Sequence, residues 1–189
     1  MRIILTGKNG QVGFELQRAL APLGEVVAVD QHDCDLANPD AIHRLLAGVE
    51  PSVIVNPAAY TAVDRAESEQ ELAQAIDGVA PGVLGDEAVR RGALVVHYST
   101  DYVFHGAKDG AYSENDLSKQ QGAYGKTNLV GERGLTIATA DYPLPIPRPS
   151  NSRLDTSHLR QTFGLELPRW QSGLDHVCSR FFDLRTLHA

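Results

Sequence analysis

Residues 2–20 read RIILTGKNGQVGFELQRAL, and this stretch decides the fold. It opens with a short apolar run that ends at Gly7, the pattern of a buried strand. From Gly10 onward, Val12, Leu16, Ala19, Leu20 and Leu23 fall at helical spacing, and Gly24 stops the run. Between strand and helix lies a GxxGxxG loop made by Gly7, Gly10 and Gly13. Glycines there let the backbone turn tightly and approach a pyrophosphate, whose charge sits on the helix N-terminus. The same glycines would also serve a turn needed only for close strand–helix packing. The next strand, EVVAVD (25–30), closes on Asp30, an acidic residue where an adenosine ribose would be held. The glycine loop together with Asp30 favours a dinucleotide site.

The pattern repeats along the chain. Asn38-Pro39 opens a helix through AIHRLLAGV, with asparagine as cap and proline in the first turn. SVIVNPAA (52–59) is a third strand, and residues 66–91 are mostly helical with a break or kink at Pro81. ALVVHYST (93–100) is a fourth strand, residues 124–133 a helix, and LTIA (135–138) the start of a fifth strand. Strands alternating with helices make a parallel sheet covered on both faces. Ligands of such sheets bind at the carboxyl ends of the strands, here Gly7, Asp30, Ala59 and Thr100. The expected fold is α/β, a Rossmann-like doubly wound parallel sheet over residues 1–140.

After residue 138 the alternation stops. Pro143, Pro145, Pro147 and Pro149 crowd a stretch with no strand pattern. DTSHLRQTFG (155–164) reads as a short capped helix. LPRWQSGLDHVCSRFFDLRTL (167–187) reads as an amphipathic helix with Trp170, Leu174, Val177, Phe181 and Leu184 in one stripe. Residues 141–189 are expected to form a smaller helical segment.

Composition excludes several classes. A net charge of −7 and a pI near 5.4 argue against a nucleic-acid or anionic-membrane surface. Cys34 and Cys178 lie far apart without a CxxC, so neither a metal site nor a disulfide framework is expected, and a reducing cytoplasm is the default compartment. No membrane-spanning run or signal peptide is expected either.

A second cluster follows the fourth strand. YSTDYVF (98–104) places hydroxyls at the strand end, and YGKTNLVGE (124–132) follows on a helix. Thr100 and Tyr124 could bind a carbonyl oxygen and pass a proton to it. Equally, Thr100 could cap the strand end and Tyr124 pack as a surface residue. The residues alone leave both readings open.

Taken together, GKNGQVGFELQRAL, VNPAAYTAVDRAE, HYSTDYVFHG, YGKTNLVGE and RPSNSRLDTSHLRQTFGLELPRWQSGL resemble the dTDP-4-dehydrorhamnose reductases, within the extended short-chain dehydrogenase/reductases. The resemblance covers residues 1–138 and 142–177. It implies NADH or NADPH as cofactor, held at Gly10, Gln11, Val12, Asp30, Asp35, Leu36, Ala59, Tyr60, Thr61 and Tyr98. It implies a sugar-nucleotide substrate, dTDP-4-dehydro-L-rhamnose, contacted by Thr100 and Asp101, with Tyr124 as proton donor. The reaction implied is reduction of its 4-keto group to give dTDP-L-rhamnose. Asp30 should repel a 2′-phosphate and lean the site toward NADH, with Lys8 the one cation close enough to offset it.

Three departures from the family pattern stand out. The motif lysine four residues after Tyr124 is replaced by Asn128, which supplies a hydrogen bond but no charge. Lys126 lies about 200° round the helix from Tyr124, where a solvated lysine is expected. Pro57 and Asp77 stand where the family has alanine and asparagine. Finally, the chain passes from LTIA to the family's C-terminal tail near Asp141, as if an internal segment carrying much of the substrate region were missing. The fold expected is therefore truncated, with residues 141–189 a remnant. Activity is expected to be impaired, the alternative being an inactive dinucleotide-binding remnant or interaction protein. An uncovered sheet edge is expected to promote homo-oligomers.

Overall fold

The computed structural model describes residues 1–113, 115–120, 122–136, 154–168 and 172. It divides into two compact units, Met1–Asp109 with Leu117–Ser152, and Gly110–Asp116 with Arg153–Ala189. The first unit holds the sheet. Its strands are β1 (Arg2–Leu5), β2 (Glu25–Ala28), β3 (Val53–Asn56) and β4 (Leu94–His97). They run parallel in the order β2-β1-β3-β4. Each strand stops two or three residues before its apolar run ends, so Gly7, Asp30, Ala59 and Thr100 stand in the loops just past the sheet.

Alternation along the strands feeds two cores. Ile4 and Ile54 pack with Ile42 and Leu46 of α2 (Pro39–Val49) and with Ala80, Leu84 and Ala88 of α5 (Ala80–Arg91). Ile3, Leu5 and Val55 point the other way, onto Leu16 and Leu20 of α1 (Gln11–Leu20). A sheet with helices on both faces is the doubly wound arrangement expected from the sequence. Asn38 caps α2 as its residue type demands, its side chain accepting from the N–H groups of Asp40 and Ala41.

The helical stretch 66–91 is segmented more finely than its sequence suggests. α3 (Val63–Ala66) and α4 (Gln70–Ala73) are short, and a π-helical turn spans Gln74–Val79 before α5 begins. The Ala80 N–H donates to Ala75 O, five residues back. Pro81 accounts for the widening. It has no N–H for the carbonyl of Asp77, and its ring would clash with that carbonyl in a regular α-helix. Instead, α6 (Gly122–Thr136) crosses so closely here that a Cβ on Gly131 would lie 2.1 Å from Asp77 O.

α6 overturns one expectation. Leu135 and Thr136 continue the helix, so no fifth strand starts at 135, and residues 137–138 lie outside the described residues. Gly134 does not stop the helix, which continues through Leu135 and Thr136, the last described residues of this stretch. β4 is thus an outer strand of the described sheet.

In the second unit, Tyr112 bridges to Leu154, and the Asp155 N–H donates to Tyr112 O. α7 (Ser157–Phe163) follows, its first turn capped by the Asp155 carboxylate accepting from the Ser157 N–H at 2.9 Å. Leu167 and Pro168 are not helical. Apart from Ser172, which is helical, the rest of the expected amphipathic helix, its stripe Trp170, Leu174, Val177, Phe181 and Leu184 included, lies outside the described residues. Among the described residues no helix is long and apolar enough to cross a membrane.

Candidate active site

Two arrangements sit at the carboxyl ends of the strands. The first is a cleft of about 760 Å³ above β1, β2 and β3. Gly7, Gly10, Gln11, Val12, Gly13, Asp30, Asp35, Leu36, Ala59 and Thr61 all line it. Gly7 has φ +61, a conformation that side chains rarely tolerate. A Cβ on Gly13 would stand 2.1 Å from Gly7 O, so the loop and the start of α1 can approach only with glycine there. α1 opens without a side-chain cap and without an acidic residue in its first turn. Its first N–H groups and the positive end of its dipole are therefore left for an anion in the cleft.

Asp30 is held firmly at the rim. Its Oδ1 accepts from the backbone N–H groups of His32 and Asp33, and its Oδ2 from Asn9 Nδ2 at 2.7 Å. Hydrogen bonding from the His32 N–H pulls its carboxyl below the usual range, so it is anionic at neutral pH. Lys8 lies beside it, 2.5 Å from Asp33 Oδ2 and 3.7 Å from Asp30 Oδ2. Asp30 thus shares the Lys8 ammonium with a second carboxylate, Asp33, which the sequence did not mark out.

The second arrangement gathers Thr100, Asp101, Tyr124 and Asn128. The Thr100 side chain accepts from the Tyr102 N–H and hydrogen-bonds with the Tyr124 phenol. Tyr102 meets Tyr124 edge-on, ring centroids 5.5 Å apart. α6 packs tightly enough here that a Cβ on Gly125 would collide with Tyr102 O. The amino end of α6 is fixed by Glu67, whose Oε1 accepts from the Ala123 N–H at 2.7 Å. Burial raises the Tyr124 phenol above its ordinary pKa; the Thr100 bond opposes this, and the charges of Asp77 and Asp101 reinforce it.

Asn128 is 2% exposed, and its amide nitrogen is fully committed. Nδ2 donates to Asp77 Oδ2 at 3.1 Å and to Tyr124 O at 2.9 Å. An amide nitrogen has two hydrogens, so none is left for the phenol or for a ligand. Asn128, at the position of the motif lysine, directs its Nδ2 at Asp77 and at the α6 backbone. The structure corrects the expectation for Lys126. It is 6% exposed rather than solvated, with its pKa lowered by burial and partly restored by Glu67. The reason is α6 itself, which is buried over most of its first three turns.

Two expected cofactor residues stand outside the cleft lining. The Tyr60 hydroxyl donates to Glu69 at 2.5 Å and its backbone N–H to Asp77 Oδ1 at 2.7 Å. Tyr98 is 40% exposed beyond β4. Conversely, Asn9, His32, Cys34, Ala58 and Ile76 line the cleft without having been singled out. Asn9, His32, Cys34 and Ala58 are near a strand end or the glycine loop, whereas Ile76, on the π-helical turn, has no such signal in the sequence.

Comparison with known proteins agrees with this geometry. The dTDP-4-dehydrorhamnose reductase of Burkholderia thailandensis is 46% identical over 142 residues, covering 75% of this chain and 48% of that protein. A solved dTDP-4-dehydrorhamnose reductase from Clostridium acetobutylicum is 40% identical with a TM-score of 0.69, over 71% of this chain and 49% of the other. The Bacillus anthracis enzyme of the same name, solved in complex with NADP, is 33% identical with a TM-score of 0.67, over 71% and 48%. The chain spans about half the length of these relatives. The model of the RmlD substrate binding domain matches residues 1–136 and 133–182. With the glycine-loop cleft, the Thr100–Tyr124 pair and that match in two stretches across the sequence, this chain belongs to the RmlD substrate binding domain family.

Proposed function

We propose that this chain binds NADH or NADPH in the cleft above β1–β3 and derives from a reductase that converts dTDP-4-dehydro-L-rhamnose to dTDP-L-rhamnose, with turnover much reduced. The observation that carries the cofactor reading is the cleft itself. Its volume lies within the range of about 300–1,000 Å³ common for cofactor sites. The residues fit a dinucleotide: an uncapped helix end for the pyrophosphate, glycines that leave room for it, and Asp30 for a ribose. When bound, the nicotinamide would supply a hydride. The chain's own part would be to orient a carbonyl with Thr100 and protonate its oxygen from Tyr124.

Reduced turnover follows from the same residues. A phenol with a raised pKa is a weaker acid, and Asn128 brings no charge to lower it. The match to the family in two stretches fits a missing internal segment, and such a segment would take substrate-holding groups with it.

The test is a fluorescence titration with NADH and NADPH, beside an assay of NADH consumption with dTDP-4-dehydro-L-rhamnose. Saturable binding, tighter for NADH, with little or no consumption is expected. Absence of saturable binding by folded protein would overturn the reading. Replacing Asn128 by lysine is expected to leave sugar reduction below detection. A rise of about 10² or more would show that the lost charge, not the substrate region, limits the chemistry.

A further inference from the structure

Asp77 lies outside the glycine loop and the Thr100–Tyr124 pair, yet it joins both arrangements. It sits on the π-helical turn and is 2% exposed. Its neighbour Ile76 lines the cleft, while its carboxylate points the other way, toward α6. Oδ1 accepts from the Tyr60 N–H at 2.7 Å, in the loop whose residues Ala59 and Thr61 line the cleft. Oδ2 accepts from Asn128 Nδ2 at 3.1 Å and from Thr127 Oγ1 at 3.3 Å, one turn beyond Tyr124. Asn128 Nδ2 carries a second bond back to Tyr124 O at 2.9 Å, while the single Thr127 hydroxyl proton is shared between Asp77 Oδ2 and Tyr124 O, the latter at 3.1 Å. The orientation of the Asn128 amide is forced, because a carboxylate and a carbonyl are both acceptors.

We propose that Asp77 is a positioning residue, which locks the loop after β3 to the helix turn that carries Tyr124, with Asn128 as its partner in that lock. A π-turn is what permits this. In a continuous α-helix, Ile76 and Asp77 would be displaced round the axis relative to the residues that follow. The extra residue in the turn sets Ile76 on the cleft and Asp77 on α6. A buried carboxylate held by the Tyr60 N–H, the Asn128 amide and a shared Thr127 hydroxyl is a stiff connection, since bonds to a carboxylate are charge-assisted and those to α6 are buried. The lock stands by itself, and its link to nucleotide affinity rests on the function proposed above.

The experiment reads one end of the lock while the other is changed. Backbone amide exchange at Ala59, Tyr60 and Thr61 is followed by NMR in the wild type, Asp77→Asn and Asn128→Leu, with strand amides of Ile4 and Ile54 as reference. NADH affinity is measured in parallel by fluorescence. Asp77→Asn keeps the size and an acceptor but turns one amide nitrogen against another. Asn128→Leu leaves the Tyr60–Asp77 bond itself unaltered and removes only a bond at the other oxygen of Asp77. Both are expected to speed exchange at Tyr60 about tenfold relative to the strands, and to weaken NADH by a similar factor. Unchanged relative exchange at Tyr60 in Asn128→Leu would overturn the lock, because a merely structural Asp77 transmits nothing. Thr127→Val gives the same reading should Asn128→Leu fail to fold. If the wild type binds no NADH, the functional reading fails while the exchange data still decide the lock.

Discussion

At the scale of single residues, the chemistry of the site is governed by where charge is buried. Asp77 is the clearest case. Burial raises its pKa from 3.8 to about 6, against the hydrogen bonds from Tyr60, Thr127 and Asn128. A carboxyl whose folded pKa lies above its unfolded one binds its proton more tightly in the folded state. Its stabilising contribution is complete below pH 3.8 and is lost as pH rises through 6. The loss amounts to about 3 kcal/mol. Asp30, Asp33 and Glu69, with lowered pKa values, act in the opposite sense, so the whole protein's pH profile mixes the two. The measurement is therefore a difference. Denaturant unfolding of the wild type and of Asp77→Asn is compared from pH 4 to 7, and the variant is expected to gain on the wild type by up to that amount. A difference independent of pH would mean that Asp77 does not titrate in this range.

At the scale of elements, the position of Tyr124 depends on how α6 begins and what it crosses. Its first described residue, Gly122, has φ +82, and the next N–H is capped by Glu67 from the junction of α3 and α4. Side-chain capping bonds of this kind are worth about 1 kcal/mol. Glu67→Ala is expected to cost that much in chemical denaturation and to fray the turn before Tyr124, while Glu67→Gln, which keeps an acceptor, costs less. Equal losses for both would show that charge at the helix N-terminus, rather than the bond, matters. The glycines of α6 are equally specific. Gly125 and Gly131 let the helix pass the backbone carbonyls of Tyr102 and Asp77 at distances that a Cβ would close. The sequence displays these as ordinary glycines in a helix. Only the crossing gives them a reason.

At the scale of the whole molecule, the sheet has an outer strand that carries apolar side chains into solvent. Leu94 is 61% exposed and Val96 40%. Outer strands with such side chains pair with other chains unless a charge intervenes. Concentration-dependent association is expected by light scattering, and Val96→Lys should reduce it. A wild type that stays monomeric at high concentration would contradict this. The sequence by itself determined the order of strands and helices, the glycine loop, the caps and the place of Thr100 and Tyr124. Those features are local: periodicity, turn chemistry and residue type act within a few positions of each other. Tertiary structure alone decided three things. Asp77 meets Tyr60 and Asn128 across separations of 17 and 51 residues. Lys126 is buried because a whole helix is. The chain continues as helix at Leu135, where an apolar run had suggested a strand. Each of these depends on which surfaces meet after folding, and no local pattern in the chain encodes that.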